Sequence, residues 1–138
     1  MKLAAIDIGS NSIKLVVVDA AASDSFAVLT KEKEFVRLGH QTLRRGHLSR
    51  DAIDRAMECL KRFRSIAEAR GADGIIATAT ASVREANNAT QFVKEVEQKT
   101  GIRVEVLSGI EEARLIGLAA SQSCSPKGIT NLNVDIGG

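Results

Sequence analysis

"AAIDIGSNSIKLVVVD", residues Ala4 to Asp19, is the stretch on which the fold turns. Two apolar runs, Leu3–Ile8 and Ile13–Ala20, are rich in β-branched residues and flank a short polar loop, Gly9-Ser10-Asn11-Ser12. That pattern predicts a β-hairpin. Asp7 departs from it by placing a carboxylate in the first run, beside the loop. A strand-end carboxylate next to small residues suits a metal ion or a metal-bound water. Gly9 lets the backbone approach an anion, and Ser10, Asn11 and Ser12 add side-chain donors. The same residues also suit a tight turn. The Walker pattern GxxxxGK[ST] is absent, so this is not a P-loop of that kind.

Outward from the hairpin, Phe26–Leu38 reads as a third, more polar strand nearer an edge. His40–His47 reads as a loop. Its His40, Arg44, Arg45 and His47 suit either an exposed polar loop or a guide for a polyanion. Ser49 is expected to cap a helix through about Arg70, with an apolar face of Ile53, Ala56, Met57, Leu60, Phe63 and Ala67 at helical spacing. Gly74–Thr80 reads as a short buried strand, and Arg84 as beginning or preceding a helical turn. Asn88 with Gln91 reads as a capping pair for a helix that Gly101 closes. Ile102–Leu107 alternates as a strand. Ser108 and Glu111 form the pattern S-x-x-E, a capping box for a helix to about Gln122. Ser123–Thr130 is a loop and Leu132–Ile136 a last strand.

A meander followed by crossover units gives an α/β fold. Its mixed sheet combines antiparallel strands with parallel crossover strands and carries helices on both faces. Ligands of such sheets sit off the carboxyl ends of the parallel strands. Those ends are Thr78-Ala79-Thr80, Leu107-Ser108 and Ile8-Gly9. The 138 residues suffice for one domain with a core, and 44% of them are hydrophobic. A formal charge of +2, with no Trp or Tyr, gives no support to nucleic acid or a membrane as partner. No apolar run is long enough to span a bilayer. Cys59 and Cys124 lack metal-ligand and CxxC spacing, so reduced thiols in a cytoplasmic protein are expected.

Three further features carry chemistry. In "LSGIEEARLIGLAA", Ser108 and Glu111 serve the cap, which leaves Glu112 free as a base or metal ligand. Two first-turn glutamates also suit the helix dipole alone. Arg84 follows a strand end, where its forked guanidinium matches a tetrahedral oxyanion; a solvated arginine is the plainer use. The tail "NLNVDIGG" repeats the opening pattern, with Asp135 followed by Gly137 and Gly138. Two D-I-G strand ends suggest two related phosphate loops, one on each side of a cleft.

Taken together, "AAIDIGSNSIKLVV", "VRLG", "LSRDAIDRAMECL", "TATASVREANNATQFV", "VEVLSGIEEARLIGLA" and "VDIGG" resemble the exopolyphosphatase / guanosine pentaphosphate phosphohydrolase family. That family lies within the actin, sugar-kinase and heat-shock-protein fold group. The matching segments run in family order over nearly the whole chain. The resemblance implies a ribonuclease H-like domain that releases terminal phosphate from polyphosphate or guanosine pentaphosphate, with magnesium. Asp7 and Asp135 resemble the magnesium-associated aspartates. Gly9, Ser10 and Asn11 resemble the first phosphate loop, and Gly137 and Gly138 the start of the second. Arg84 resembles the phosphate-binding arginine, and Glu112 the catalytic glutamate that orients or deprotonates water.

The family's second loop continues past two glycines to a metal-holding glutamate and a second domain. Residues 1–122 are therefore expected to form the N-terminal actin-like domain. Residues 123–138 are expected to be a linker and the first strand of a second, truncated domain. On that basis this chain alone is expected to be inactive, with a homodimer a property of the full-length protein. A sugar-kinase-like or nucleotide-switch ATPase is the rival within the fold group. A non-catalytic module that binds polyphosphate or guanosine tetraphosphate is the rival from another class.

Overall fold

The computed structural model describes residues 1–20, 26–40 and 42–124. Three strands come first: β1 (Lys2–Ile8), β2 (Ile13–Ala20) and β3 (Phe26–Glu34). They pair antiparallel in chain order, so the hairpin and the edge strand stand where the sequence puts them. β4 (Gly74–Ala79) pairs parallel to β1, and β5 (Val104–Val106) parallel to β4. The sheet order is β3-β2-β1-β4-β5, the expected mixed sheet of antiparallel and parallel strands.

β3 ends at Glu34, four residues short of the expected Leu38. The cause is local. Val36 and Leu38 turn into the core, each 1% exposed. Between them Arg37 adopts a left-handed φ of 54°, which an extended strand cannot accommodate. The freed segment folds back on the hairpin loop: the Arg37 N–H donates to the Asn11 carbonyl and the Gly39 N–H to the Ser10 carbonyl.

Five helices follow: α1 (Thr42–Arg45), α2 (Arg50–Ala69), α3 (Ala81–Arg84), α4 (Ala89–Thr100) and α5 (Gly109–Cys124). The expected 40–47 loop thus contains the single turn of α1. α2 starts as expected, its Ser49 hydroxyl accepting from the Ala52 N–H at 3.3 Å. It buries the predicted Ile53, Ala56, Met57, Leu60, Phe63 and Ala67, together with Ala52 and Cys59. Alternate residues of the sheet meet that face: Ala4, Ile6, Ile8, Ile13, Leu15, Val17, Ala77 and Ala79. Full burial of a side chain the size of Phe63 contributes about 1.5–3 kcal/mol. Burial holds the Cys59 thiol up at about 12, with the negative charge of Glu34 adding to it, so Cys59 is a packing residue and not a nucleophile.

Two caps differ from the expectation. The Asn88 side chain makes no capping bond to α4. It clasps Leu48 instead, accepting from its N–H at 2.9 Å and donating to its carbonyl at 3.0 Å. At α5 half of the capping box forms: the Ser108 hydroxyl accepts from the Glu111 N–H at 3.2 Å. The Glu111 carboxylate pairs with Arg114 at 2.9 and 2.7 Å, because the guanidinium one turn on competes for it. Gly101 closes α4 with a φ of 66°, as expected. β5 is shorter than Ile102–Leu107, with those two apolar ends turned into the interior.

α2 and α4 pack together on one side of the sheet. On the other side Ala5 is exposed and Ile76 is 57% exposed. Among the described residues no helix is long and apolar enough to cross a membrane. Asp135, Gly137, Gly138 and the expected strand at 132–136 lie outside the described residues.

Candidate functional site

Asp7 sits on β1 between two buried neighbours, Ile6 and Ile8, and so presents its carboxyl to the opposite face of the sheet. Across the ladder it pairs with Lys14 on one side and Thr78 on the other, and Thr78 pairs with Glu105. Directly opposed residues share a face, so these side chains form one polar row near the strand ends. The Lys14 ammonium lies 3.8 Å from Asp7, with both side chains about half exposed. Burial raises the Asp7 carboxyl above its ordinary value; Lys14 opposes the shift, and the charge of Glu112 adds to it. Asp7 and Glu112 therefore belong to one electrostatic neighbourhood.

Arg84 ends the turn of α3, where it was expected to begin or precede one. From there it reaches across to the next strand end. Its Nη1 donates to the Leu107 carbonyl at 2.9 Å and to the Glu112 carboxylate at 3.1 Å. Arg84 and Glu112 are each less than a third exposed. The Glu112 backbone N–H donates to the Ser108 carbonyl in the first turn of α5. The ends of β4 and β5 thus meet through one ion pair. A guanidinium beside a carboxylate there can hold a phosphoryl group while the carboxylate takes a proton from water.

The hairpin loop completes this wall. Its carbonyls are occupied: Ser12 accepts from the Gly9 N–H at 3.1 Å, and Ser10 and Asn11 accept from the 37–39 segment. The Gly9 N–H is therefore not free for an anion, contrary to the simplest reading of the loop. The N–H groups of Ser10 and Asn11 have no hydrogen-bond partner among the described residues. Consecutive unpaired amides beside side-chain donors make a small anion cradle.

Among the described residues no three His, Cys, Asp or Glu side chains stand close enough to hold a metal ion by themselves. Asp7 is the described candidate ligand. Its proton affinity, raised by burial and by a second carboxylate, is what an added cation would relieve. The other expected contributors, Asp135, Gly137 and Gly138, lie outside the described residues. Of the basic loop, His40 lines a cavity beside Ser10, whereas His47 lies 3.1 Å from the Arg45 carbonyl, so the group is divided. Lys14 escaped the sequence reading. The signal was present, because a four-residue loop sets Lys14 opposite Asp7 in the hairpin.

A family model described as the Ppx/GppA phosphatase family matches residues 15–138. Exopolyphosphatase 1 of Mycobacterium leprae is 33% identical over all 138 residues of the chain, which correspond to 41% of that protein. Its counterpart in Mycobacterium tuberculosis is 32% identical, with 40% of its length matched. The chain spans about two fifths of these curated relatives. Among solved structures, an Aquifex aeolicus Ppx/GppA enzyme superposes with a TM-score of 0.86 at 30% identity, covering 93% of this chain and 42% of that one. An exopolyphosphatase from Cytophaga hutchinsonii superposes with a TM-score of 0.84 at 33% identity, covering 88% of this chain and 39% of that one.

Proposed function

The chain belongs to the Ppx/GppA phosphatase family, and from that premise we propose that it forms one wall of a site that hydrolyses phosphoanhydrides. The substrate is inorganic polyphosphate, in keeping with relatives named exopolyphosphatase. Guanosine pentaphosphate is the second substrate, in keeping with the family description. The observation that carries the reading is the Arg84–Glu112 pair, set at the strand ends beside Asp7 and the unpaired amides of Ser10 and Asn11.

In this reading the terminal phosphate rests on the Ser10 and Asn11 amides and on the Arg84 fork. Glu112 orients a water and accepts its proton as the water oxygen bonds to phosphorus. The bridging P–O bond breaks, and the shortened chain leaves with its bond electrons. Charge on the phosphoryl oxygens is met by fixed donors, which need no reorganisation. Asp7, together with Asp135, would hold magnesium, which would supply further positive charge at those oxygens. Residues 1–122 act as the N-terminal domain. The relatives extend well beyond the matched stretch, and the reading assigns the opposite wall to a second domain that residues 123–138 begin. The reaction takes place in the cytoplasm, and a homodimer is a property of the complete protein.

Paired substitutions in the active enzyme test the roles. Glu112→Gln keeps the shape and removes the base, so turnover on polyphosphate falls by roughly two to four orders of magnitude. Glu111→Gln loses an exposed pair with Arg114 and leaves turnover nearly unchanged. The opposite pattern in a phosphate-release assay reverses the assignment.

A further inference from the structure

The free amides of the hairpin loop are not aimed by the loop alone. They belong to peptide units whose carbonyls are held by the segment 36–39. A trans peptide unit is planar and sets its C=O and N–H on opposite sides. Among the described residues every peptide bond is trans. The Ser10 carbonyl accepts from the Gly39 N–H at 2.8 Å, so the Asn11 N–H of the same unit points away from the segment. The Asn11 carbonyl accepts from the Arg37 N–H at 2.9 Å, so the Ser12 N–H points away as well. Like that of Asn11, the Ser12 N–H has no hydrogen-bond partner among the described residues. Segment and loop touch closely: a Cβ on Gly39 would stand 3.0 Å from the Ser10 Cβ.

The segment is itself held from behind. Val36 and Leu38 anchor it in the core, and Arg37 between them takes its left-handed φ, which persists only where neighbouring contacts enforce it. Arg55 supplies one such contact, its Nε donating to the Val36 carbonyl at 3.1 Å. Arg55 is an exposed residue of α2 and makes no ion pair among the described residues, although Asp51 stands one turn before it. Its guanidinium is turned to a backbone carbonyl instead of a carboxylate.

These contacts run in series. Arg55 holds the Val36 carbonyl; the N–H of that peptide unit is the Arg37 N–H, which holds the Asn11 carbonyl; the N–H of that second unit belongs to Ser12. Every donor points the same way, from the cation toward the loop. A charged donor makes the first bond about twice as strong as a neutral one. Bonds in series then strengthen one another by about 10–30% each. We propose that Arg55 is a positioning residue of the phosphate loop. Through two peptide units it fixes the direction of the Ser12 N–H and strengthens it as a donor to an anion that Arg55 itself does not touch. This relay rests on the phosphate-site reading above and adds the Ser12 amide to those of Ser10 and Asn11.

Nuclear magnetic resonance of the 138-residue chain, first without ligand and then with inorganic pyrophosphate, tests the relay. Arg55→Gln keeps a donor nitrogen at the place of Nε and removes the charge; Arg55→Lys keeps a charged donor. In Arg55→Gln the ligand-free Ser12 amide proton is expected to move upfield. Its dissociation constant for pyrophosphate is expected to rise roughly three- to tenfold, within the range by which substitutions away from a site alter its affinity. Arg55→Lys is expected to restore most of both. A bond that merely ties α2 to the segment would lower the melting temperature and leave the Ser12 signal and the affinity as they are, and that result overturns the relay. A lysine variant that fails alongside the glutamine variant overturns it too, because charge is then not what acts. If the unsubstituted chain binds no pyrophosphate, the phosphate-site reading falls, and the ligand-free Ser12 signal still decides the relay.

Discussion

Asp7, the described candidate ligand, is carried by a strand that would be more stable without its charge. Its neighbours Ile6 and Ile8 fill the core, while its carboxyl is partly desolvated on the other face, near Glu112. A carboxyl whose folded value lies above its ordinary 3.8 contributes stability that is fully present below that value and lost as pH rises through the folded one. At neutral pH the ionised Asp7 is therefore a net burden. The half-exposed pair with Lys14 offsets little of it, because screened surface pairs are weak. Asp7→Asn is expected to raise the melting temperature of the ligand-free chain at pH 7 and to leave it unchanged near pH 3, as read by scanning calorimetry at both pH values. In the active enzyme the same substitution is expected to abolish phosphate release. A lower melting temperature at pH 7 would mean that the Lys14 contact outweighs desolvation.

At the scale of elements, periodicity and chain order carried most of the information. The apolar face of α2 was legible because six residues repeat at helical spacing, and the Ser49 cap stands immediately before them. The sheet was legible because runs of β-branched residues alternate with helical patterns. Less legible were contacts between residues far apart in the chain. Asn88 reads as a cap from its neighbours alone, yet its side chain clasps Leu48, forty residues away. A local pattern cannot show that a buried turn leaves an N–H and a carbonyl in need of partners. The Glu111 carboxylate was lost to Arg114 for a similar reason: two partners lay within reach and the sequence does not rank them. Asn88→Ala is expected to leave both Leu48 groups unpaired and to cost about 1–3 kcal/mol, measured as a lower urea midpoint. Asn88→Asp keeps the acceptor and loses the donor, and should fall between. A cost below about 0.5 kcal/mol would mean that water replaces the clasp.

At the scale of the molecule, the candidate site occupies the strand ends on the face of the sheet that the core does not use. Its described parts were named from the sequence: Asp7, the loop, Arg84 and Glu112. The geometry that joins them was not, because the Arg84–Glu112 bond depends on where two loops place two helix ends. The openness of this face bears directly on catalysis. Ile76 is 57% exposed beside the row, and on α5 Ile110 and Leu118 are 86% and 52% exposed. Arg84 and Glu112, each under a third exposed, and the half-exposed Asp7 still keep part of their surface in water. Charges a few ångströms apart interact several times more weakly in water than in a partly buried site, so a wetted wall supplies little of the stabilisation that phosphoryl transfer needs. The 138-residue chain with magnesium is accordingly expected to release no measurable phosphate from polyphosphate, even though Glu112 and Arg84 are in place. It should still bind phosphate weakly at Ser10 and Asn11, seen as shifts of their amide signals in a nuclear magnetic resonance titration. Steady phosphate release by this chain, abolished by Glu112→Gln, would mean that one wall assembles a dry enough site by itself, and the need for a second domain would fall.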